Sequence, residues 1–330
     1  MTASDKLRLA LVGPGRWGRI LVEAVQNVSD TVIFTHAVAR NPDKVAEWCR
    51  SRAIELSTDL SDVLKNSDVD GIVLATPHSQ HAGQIVEIAG AGKHLFCEKP
   101  IALSLEDARR ALHAASSAVI VFMPGHNRRF LPAIAEMKSR LDSGDLGKLL
   151  HAEGNMSSHV GYGEVYTADI WRVAPGESPA GGLAAAGFHL IDLMIHLLGP
   201  IDAVTAQSHR LVHSIKHDDT TSMLLRFGSG ATGSISTLTA TAQMFQLRVF
   251  GEKGWLELRG QDELAFKPVN GACERLSLPK VSTERLELEA FADAIRTRTL
   301  SPIPQSEILN GIAAFEAVVS SVESGTWVSC

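Results

Sequence analysis

Leu7-Arg8-Leu9-Ala10-Leu11-Val12-Gly13-Pro14-Gly15-Arg16-Trp17-Gly18 begins with an apolar run and ends in a glycine turn, out of which an amphipathic stretch continues to Val28. Strand, tight turn and helix in that order make the turn a dinucleotide cradle. The first glycine permits the sharp reversal, the second lets backbone approach a pyrophosphate, and the third lets helix pack on strand. The helix start then presents N–H groups to the phosphates. Gly13, Gly15, Arg16, Trp17 and Gly18 are therefore the first cofactor-binding candidates.

Outward from this turn, strand and helix alternate. Thr31 to Ala39 reads as a second strand, and Asn41-Pro42 as a helix start with a side-chain acceptor ahead of proline. Val69 to Ala75, His94 to Cys97 and Val119 to Met123 read as further strands, separated by helices over Gln80 to Ala91 and Ser104 to Ser116. Unbroken apolar strands of this kind suit a parallel sheet covered on both faces. The expected class is α/β, with a doubly wound sheet filling a dinucleotide-binding domain over residues 1–124.

Beyond Pro124 the pattern changes. A helix from about Pro132 to Leu141 and a strand around Leu149 to Asn155 precede a long irregular stretch, Ser157 to Ala180. Alternating segments from Val204 to Leu258 carry hairpin signals at Gly228-Ser229-Gly230 and Gly251-Glu252-Lys253-Gly254. Helices over Glu284 to Arg296 and Ser306 to Ser324 close the chain. This reads as a substrate-binding and oligomerisation domain over residues 125–330, α+β, with a large, mainly antiparallel sheet open on one face.

Composition bounds the function. The 330 residues, 45% hydrophobic, are enough for two cores. A net charge of −6 without long blocks of one sign argues against a nucleic-acid surface. The N-terminus lacks a signal pattern and no apolar run approaches the roughly 20 residues that span a bilayer, so a cytoplasmic protein without membrane contact is expected. Cys49, Cys97, Cys273 and Cys330 are scattered and form no C-x-x-C pair. His189, Asp192 and His196 share a helix face, but their spacing matches no common ligand motif, and no metal is expected.

In this kind of fold an acidic residue about 20 positions past the glycines holds the ribose hydroxyl of NAD, whereas arginine there receives the 2′-phosphate of NADP. The chain offers Ala39-Arg40, so NADP is expected in preference to NAD. Ligands of open parallel sheets sit at the carboxyl ends of the strands. Two exits supply the remaining cofactor candidates: Thr76, Pro77 and His81 after the fourth strand, Glu98 and Lys99 after the fifth. Hydride transfer at a carbinol carbon needs a proton relay on its oxygen. Lysine, with a free pKa of about 10.4, and histidine, near about 6.5, can supply one.

Together, the glycine turn and the Thr76-Pro77 and Glu98-Lys99-Pro100 exits resemble the glucose-fructose oxidoreductase, inositol dehydrogenase and MocA family. Gly125-His126-Asn127-Arg128-Arg129-Phe130, Gly181-Gly182 with His189-Leu190-Ile191-Asp192, Gly251 to Trp255, and Phe315-Glu316-Ala317 extend the likeness over nearly the whole chain. The resemblance implies an NAD(P)-dependent dehydrogenase or reductase acting on a sugar, polyol or related small hydroxy or oxo compound. It makes Lys99 the contact to reacting oxygen and cofactor, His189 the acid or base, and Asp192 a substrate contact. It also implies self-association through the second sheet, as a homodimer or homotetramer.

One position departs from that family. Many members carry an aspartate four residues before the histidine, where this chain has Ala185. The only tyrosines, Tyr162 and Tyr166, lie in the irregular stretch with His159, Asp169, Trp171 and Arg172. A phenol can donate to a carbonyl oxygen and a guanidinium can bind a carboxylate, so Tyr162, Tyr166, Trp171 and Arg172 are the substrate candidates. Two alternatives stay open: a redox-neutral enzyme that retains its nucleotide for elimination or glycoside cleavage, and a nucleotide-sensing regulator without catalysis.

Overall fold

The computed structural model describes residues 6–159, 170–174 and 176–330. Two compact units divide the chain. One comprises Met1–Ala102, Glu106–Asn127 and Ser282–Gln305; the other comprises Leu103–Leu105, Arg128–Val281 and Ser306–Cys330.

The chain opens with β1 (Leu7–Val12), α1 (Arg16–Val25), β2 (Val32–Val38), α2 (Ala46–Arg50), β3 (Glu55–Ser57) and α3 (Leu60–Lys65). It continues through β4 (Gly71–Leu74), α4 (His78–Gly90), β5 (His94–Glu98), α5 (Leu105–Ser117) and β6 (Phe122–Gly125). Then come α6 (Pro132–Asp142), β7 (Leu149–His159), α7 (Gly187–Leu198), β8 (Ile201–His209), β9 (Thr220–Phe227) and β10 (Thr232–Leu238). Last are β11 (Ala240–Gly251), β12 (Gly254–Arg259), β13 (Glu263–Pro268), β14 (Glu274–Ser277), α8 (Thr283–Thr297), α9 (Gln305–Ser324) and β15 (Val328–Ser329).

The first unit holds a six-stranded sheet in the order β3-β2-β1-β4-β5-β6, and every neighbouring pair is parallel. Leu9, Ala10, Leu11, Ile72, Val73 and Leu74 have no exposed surface, as strands covered on both faces require. The order reverses between β1 and β4, which makes the crevice at their carboxyl ends the ligand position of this topology. Asn41 makes no capping hydrogen bond, contrary to the sequence expectation. A short 3-10 turn over Pro42–Lys44 stands there, and α2 starts only at Ala46.

The expected division at residue 124 misses a return of the chain. Helix α8, from the far end of the sequence, packs on α1, β2 and β5 of the first unit. Phe291 meets Phe96 edge to face, with ring centroids 6.0 Å apart. Ser282 caps the helix by accepting from Arg285 N at 3.3 Å. Asn127 then donates to Glu284 Oε1 at 2.8 Å, tying the end of the β6 segment to the start of α8.

The second unit is built on nine strands in the order β14-β13-β12-β11-β7-β10-β9-β8-β15. Only the β7 and β10 pair is parallel among the described pairings; the rest are antiparallel. On β9, Thr221, Met223, Leu225 and Phe227 point inward and are buried, whereas Leu224 and Arg226 are exposed on the other face. Helix α7 lies on β7 and β10. It can approach because Gly154 of β7 has no side chain: a Cβ there would stand 3.0 Å from Met194 Cε and 3.1 Å from the Leu190 methyls.

Candidate active site

The glycine turn differs in kind from position to position. Gly13 holds φ at +90°, and a Cβ on it would lie 2.7 Å from Ala75 O and 3.0 Å from Thr76 N. A Cβ on Gly18 would lie 2.5 Å from Gly13 O. At Gly15 no heavy atom stands within 4 Å of the same construction. Two glycines are thus demanded by the packing of β1, β4 and α1, while the third faces open space. Gly15 also precedes α1 with no side-chain cap. An open backbone at a helix N-terminus is what a pyrophosphate requires, so these residues fit a dinucleotide. Arg19 fastens the turn by donating from Nε to Pro14 O at 3.1 Å. Arg16 and Arg40 are both exposed.

At the β4 exit, Thr76 donates from Oγ1 to Gln84 Oε1 at 2.6 Å. His81 has no exposed surface, and its ring nitrogens lie 2.8 Å from Pro100 O and 3.0 Å from Thr76 O. It is a clasp inside the unit, turned to backbone instead of to a nucleotide. At the β5 exit Glu98 is buried, and its Oε2 accepts from Lys99 N at 3.3 Å. Gly125 makes room for this carboxyl, since a Cβ there would stand 2.9 Å from Glu98 Oε1.

Burial pushes the Glu98 carboxyl up to about 7, with the nearby Glu284 charge adding to the rise. The Trp17 indole and Lys99 oppose it. The indole nitrogen faces the carboxyl without meeting full hydrogen-bond geometry. Trp17, in the first turn of the dinucleotide helix, is thereby coupled to the residue preceding Lys99. Lys99 itself is half-buried.

In the second unit His189 is buried in the first turn of α7, its backbone N donating to Ala186 O at 3.2 Å. Asp192 is buried on the same helix. Its Oδ1 and Oδ2 accept from Arg129 Nε at 3.1 Å and 2.9 Å, and Oδ1 also accepts from Arg129 Nη2 at 2.6 Å. The carboxylate closes a buried bidentate ion pair, not a bond reserved for substrate. Arg129 extends the network through Nη1 to Glu307 at 2.6 Å, with His196 Nδ1 3.7 Å from the same carboxylate. The nearness of His196 comes first in holding Glu307 below its ordinary pKa, and Arg129 adds to it against burial.

Trp171 opens a 3-10 turn, and the Arg172 guanidinium stacks 4.3 Å from its ring centroid. Tyr162, Tyr166 and Asp169 lie outside the described residues. Among the described residues no group of three or more His, Cys, Asp or Glu is arranged to hold a metal ion. No described helix is long and apolar enough to cross a membrane.

Sequence reasoning overlooked Gly125, Pro100, Gln84 and Arg129 as supports. Gly125 and Arg129 stood in a motif already noticed, Gly125 to Phe130, and Pro100 in another, Glu98-Lys99-Pro100; only Gln84 stood in none, and nothing in the spacing names Asp192 as the partner of Arg129.

A six-stranded parallel sheet wound in this order, with open space at Gly15 of its glycine turn, is a dinucleotide-binding fold. Residues 7–126 match the oxidoreductase family with an NAD-binding Rossmann fold, and residues 134–257 match the GFO/IDH/MocA C-terminal domain. The chain belongs to the Gfo/Idh/MocA family of NAD(P)-dependent oxidoreductases. It is 28% identical to the inositol 2-dehydrogenase of Rhizobium meliloti strain 1021, covering 98% of this chain and 99% of that one. It is 27% identical to the rhizopine catabolism protein MocA of Rhizobium meliloti, over 90% of each. Among solved structures, levoglucosan dehydrogenase in complex with NADH superposes with a TM-score of 0.86 at 22% identity, covering 98% of this chain and 99% of that one. That likeness is one of fold.

Proposed function

We propose that this chain is a dehydrogenase or reductase acting at the CH–OH or C=O carbon of a sugar, polyol or related small hydroxy or oxo compound, with NADP preferred over NAD. The observation that carries the reading is the open backbone at Gly15, ahead of α1 at the switch point of a parallel sheet whose β5 exit carries Glu98 and Lys99. The relatives named inositol 2-dehydrogenase supply the substrate class. The preference for NADP rests on Arg40, exposed just beyond β2 with Ala39 where NAD enzymes place a carboxylate.

When bound, the nicotinamide nucleotide would accept or give the hydride, with its pyrophosphate at Gly15 and the start of α1 in the turn that Gly13 and Gly18 shape, and its 2′-phosphate at Arg40. Lys99 donates from its ammonium to the reacting oxygen and stabilises charge there. His189 exchanges the proton of that oxygen. Tyr162, Tyr166, Trp171 and Arg172 orient the substrate, and the open face of the nine-stranded sheet serves self-association.

The test measures turnover and coenzyme affinity in parallel. Lys99→Ala should cut kcat by about 10²–10⁴-fold and leave the coenzyme Kd within about threefold. Equal losses in both would contradict the role. Arg40→Ala should weaken NADP by about tenfold or more and leave NAD unchanged. Ala185, where relatives of this type carry a carboxylate, keeps a redox-neutral reaction as the second reading. Substrate loss with copurifying nucleotide and no net change in nicotinamide absorbance would favour it.

A further inference from the structure

We propose that His81 is a positioning residue for Lys99, its imidazole clasping the carbonyls of Thr76 and Pro100 and so fixing the exits of β4 and β5 against each other. The inference rests on the reading of Lys99 as the group that meets the reacting oxygen. The parallel register of β4 and β5 ends with Leu74 opposite Cys97. Beyond that pair the two backbones are joined by a side chain from neither strand. His81, in the first turn of α4, stands 3.0 Å from Thr76 O through Nε2 and 2.8 Å from Pro100 O through Nδ1.

Both partners are carbonyls, which only accept, so each bond needs a ring N–H: a ring protonated on both nitrogens supplies one to each carbonyl, and a neutral tautomer donates to one and rests its other nitrogen against the second. The ring has no exposed surface, and His78 lies edge-on to it with centroids 6.0 Å apart. Pro100 follows Lys99, so the clasp holds the peptide one residue beyond the α-carbon from which the ammonium stem departs. Released from it, the β5 exit keeps its fold through the sheet but loses a fixed direction for the lysine. A misplacement of about 1 Å at a reacting group costs about 10²-fold in rate.

The experiment compares His81→Leu, His81→Gln, Lys99→Ala and the His81→Leu/Lys99→Ala double variant. His81→Leu should lose about 10–100-fold in kcat, with KM and coenzyme Kd within about threefold and a larger primary deuterium isotope effect, because hydride transfer becomes the slow step. His81→Gln, which keeps amide donors, should recover a large part of that loss, and it carries the test should His81→Leu fail to fold. The double variant should be no slower than Lys99→Ala alone. A loss confined to coenzyme affinity, an unchanged isotope effect, or losses that multiply in the double variant would overturn the proposal. If instead Lys99→Ala itself keeps full turnover, the dehydrogenase reading falls.

Discussion

A side chain on Gly13 would collide with the carbonyl oxygen of Ala75, 2.7 Å from where its Cβ would stand. The end of β1 and the end of β4 therefore meet backbone to backbone at the point where the strand order reverses. A Cβ on Gly15, two residues on, would meet no heavy atom within 4 Å.

The three glycines should separate fold from function. Gly13→Ala carries both the collision and a strained positive φ, and should lower stability by several kcal/mol or prevent folding. Gly15→Ala should leave the unfolding midpoint near the parent's and raise the coenzyme Kd by about tenfold or more. Thermal melts beside fluorescence titration check this, and a Gly15→Ala protein that binds coenzyme normally would dismiss the cradle.

Glu98 should make stability depend on pH in a defined window. Its folded pKa is raised from the ordinary 4.5 to about 7. Below the lower value both folded and unfolded chains carry the proton; between the two, only the folded chain keeps it. The contribution of Glu98 should therefore be largest below pH 4.5 and decline as pH rises through about 7, by about 3 kcal/mol at most. Glu98→Gln should flatten that decline. Denaturant titrations across the window decide it, and identical slopes for parent and variant would refute it.

The Arg129 and Asp192 pair should act on stability and not on substrate affinity. Both side chains are only 6% exposed. Asp192→Asn leaves the buried guanidinium with one charged partner, Glu307, and should cost about 3–5 kcal/mol. Substrate KM for the folded variant should stay within about twofold. A large rise in KM with an unchanged melting temperature would restore the substrate role first expected of Asp192.

What could be read from the chain alone was local in character. The apolar run into Gly13 and the hairpin glycines at Gly228 and Gly251 announce backbone geometry within a few residues, and the observed turns fall there. β3 is three residues long and α3 six, too short for periodicity to register, although Asp59 caps α3 through Ser61 N. Partners distant in sequence were out of reach. Asp192 lies 63 positions from Arg129, and Asn127 lies 157 from Glu284. His81 has the composition of a ligand, and only coordinates reveal that backbone oxygens already occupy it.

Because α8 completes the first unit, the nucleotide half cannot close when its own strands leave the ribosome. Its hydrophobic wall at Phe96 stays uncovered until Phe291 has been synthesised, after nearly the entire second half. The second unit in turn takes α9 and β15 from beyond α8, so neither unit is complete until the end of the chain has been made, and nascent chains stalled before α8 should expose a sticky, unfinished sheet to chaperones.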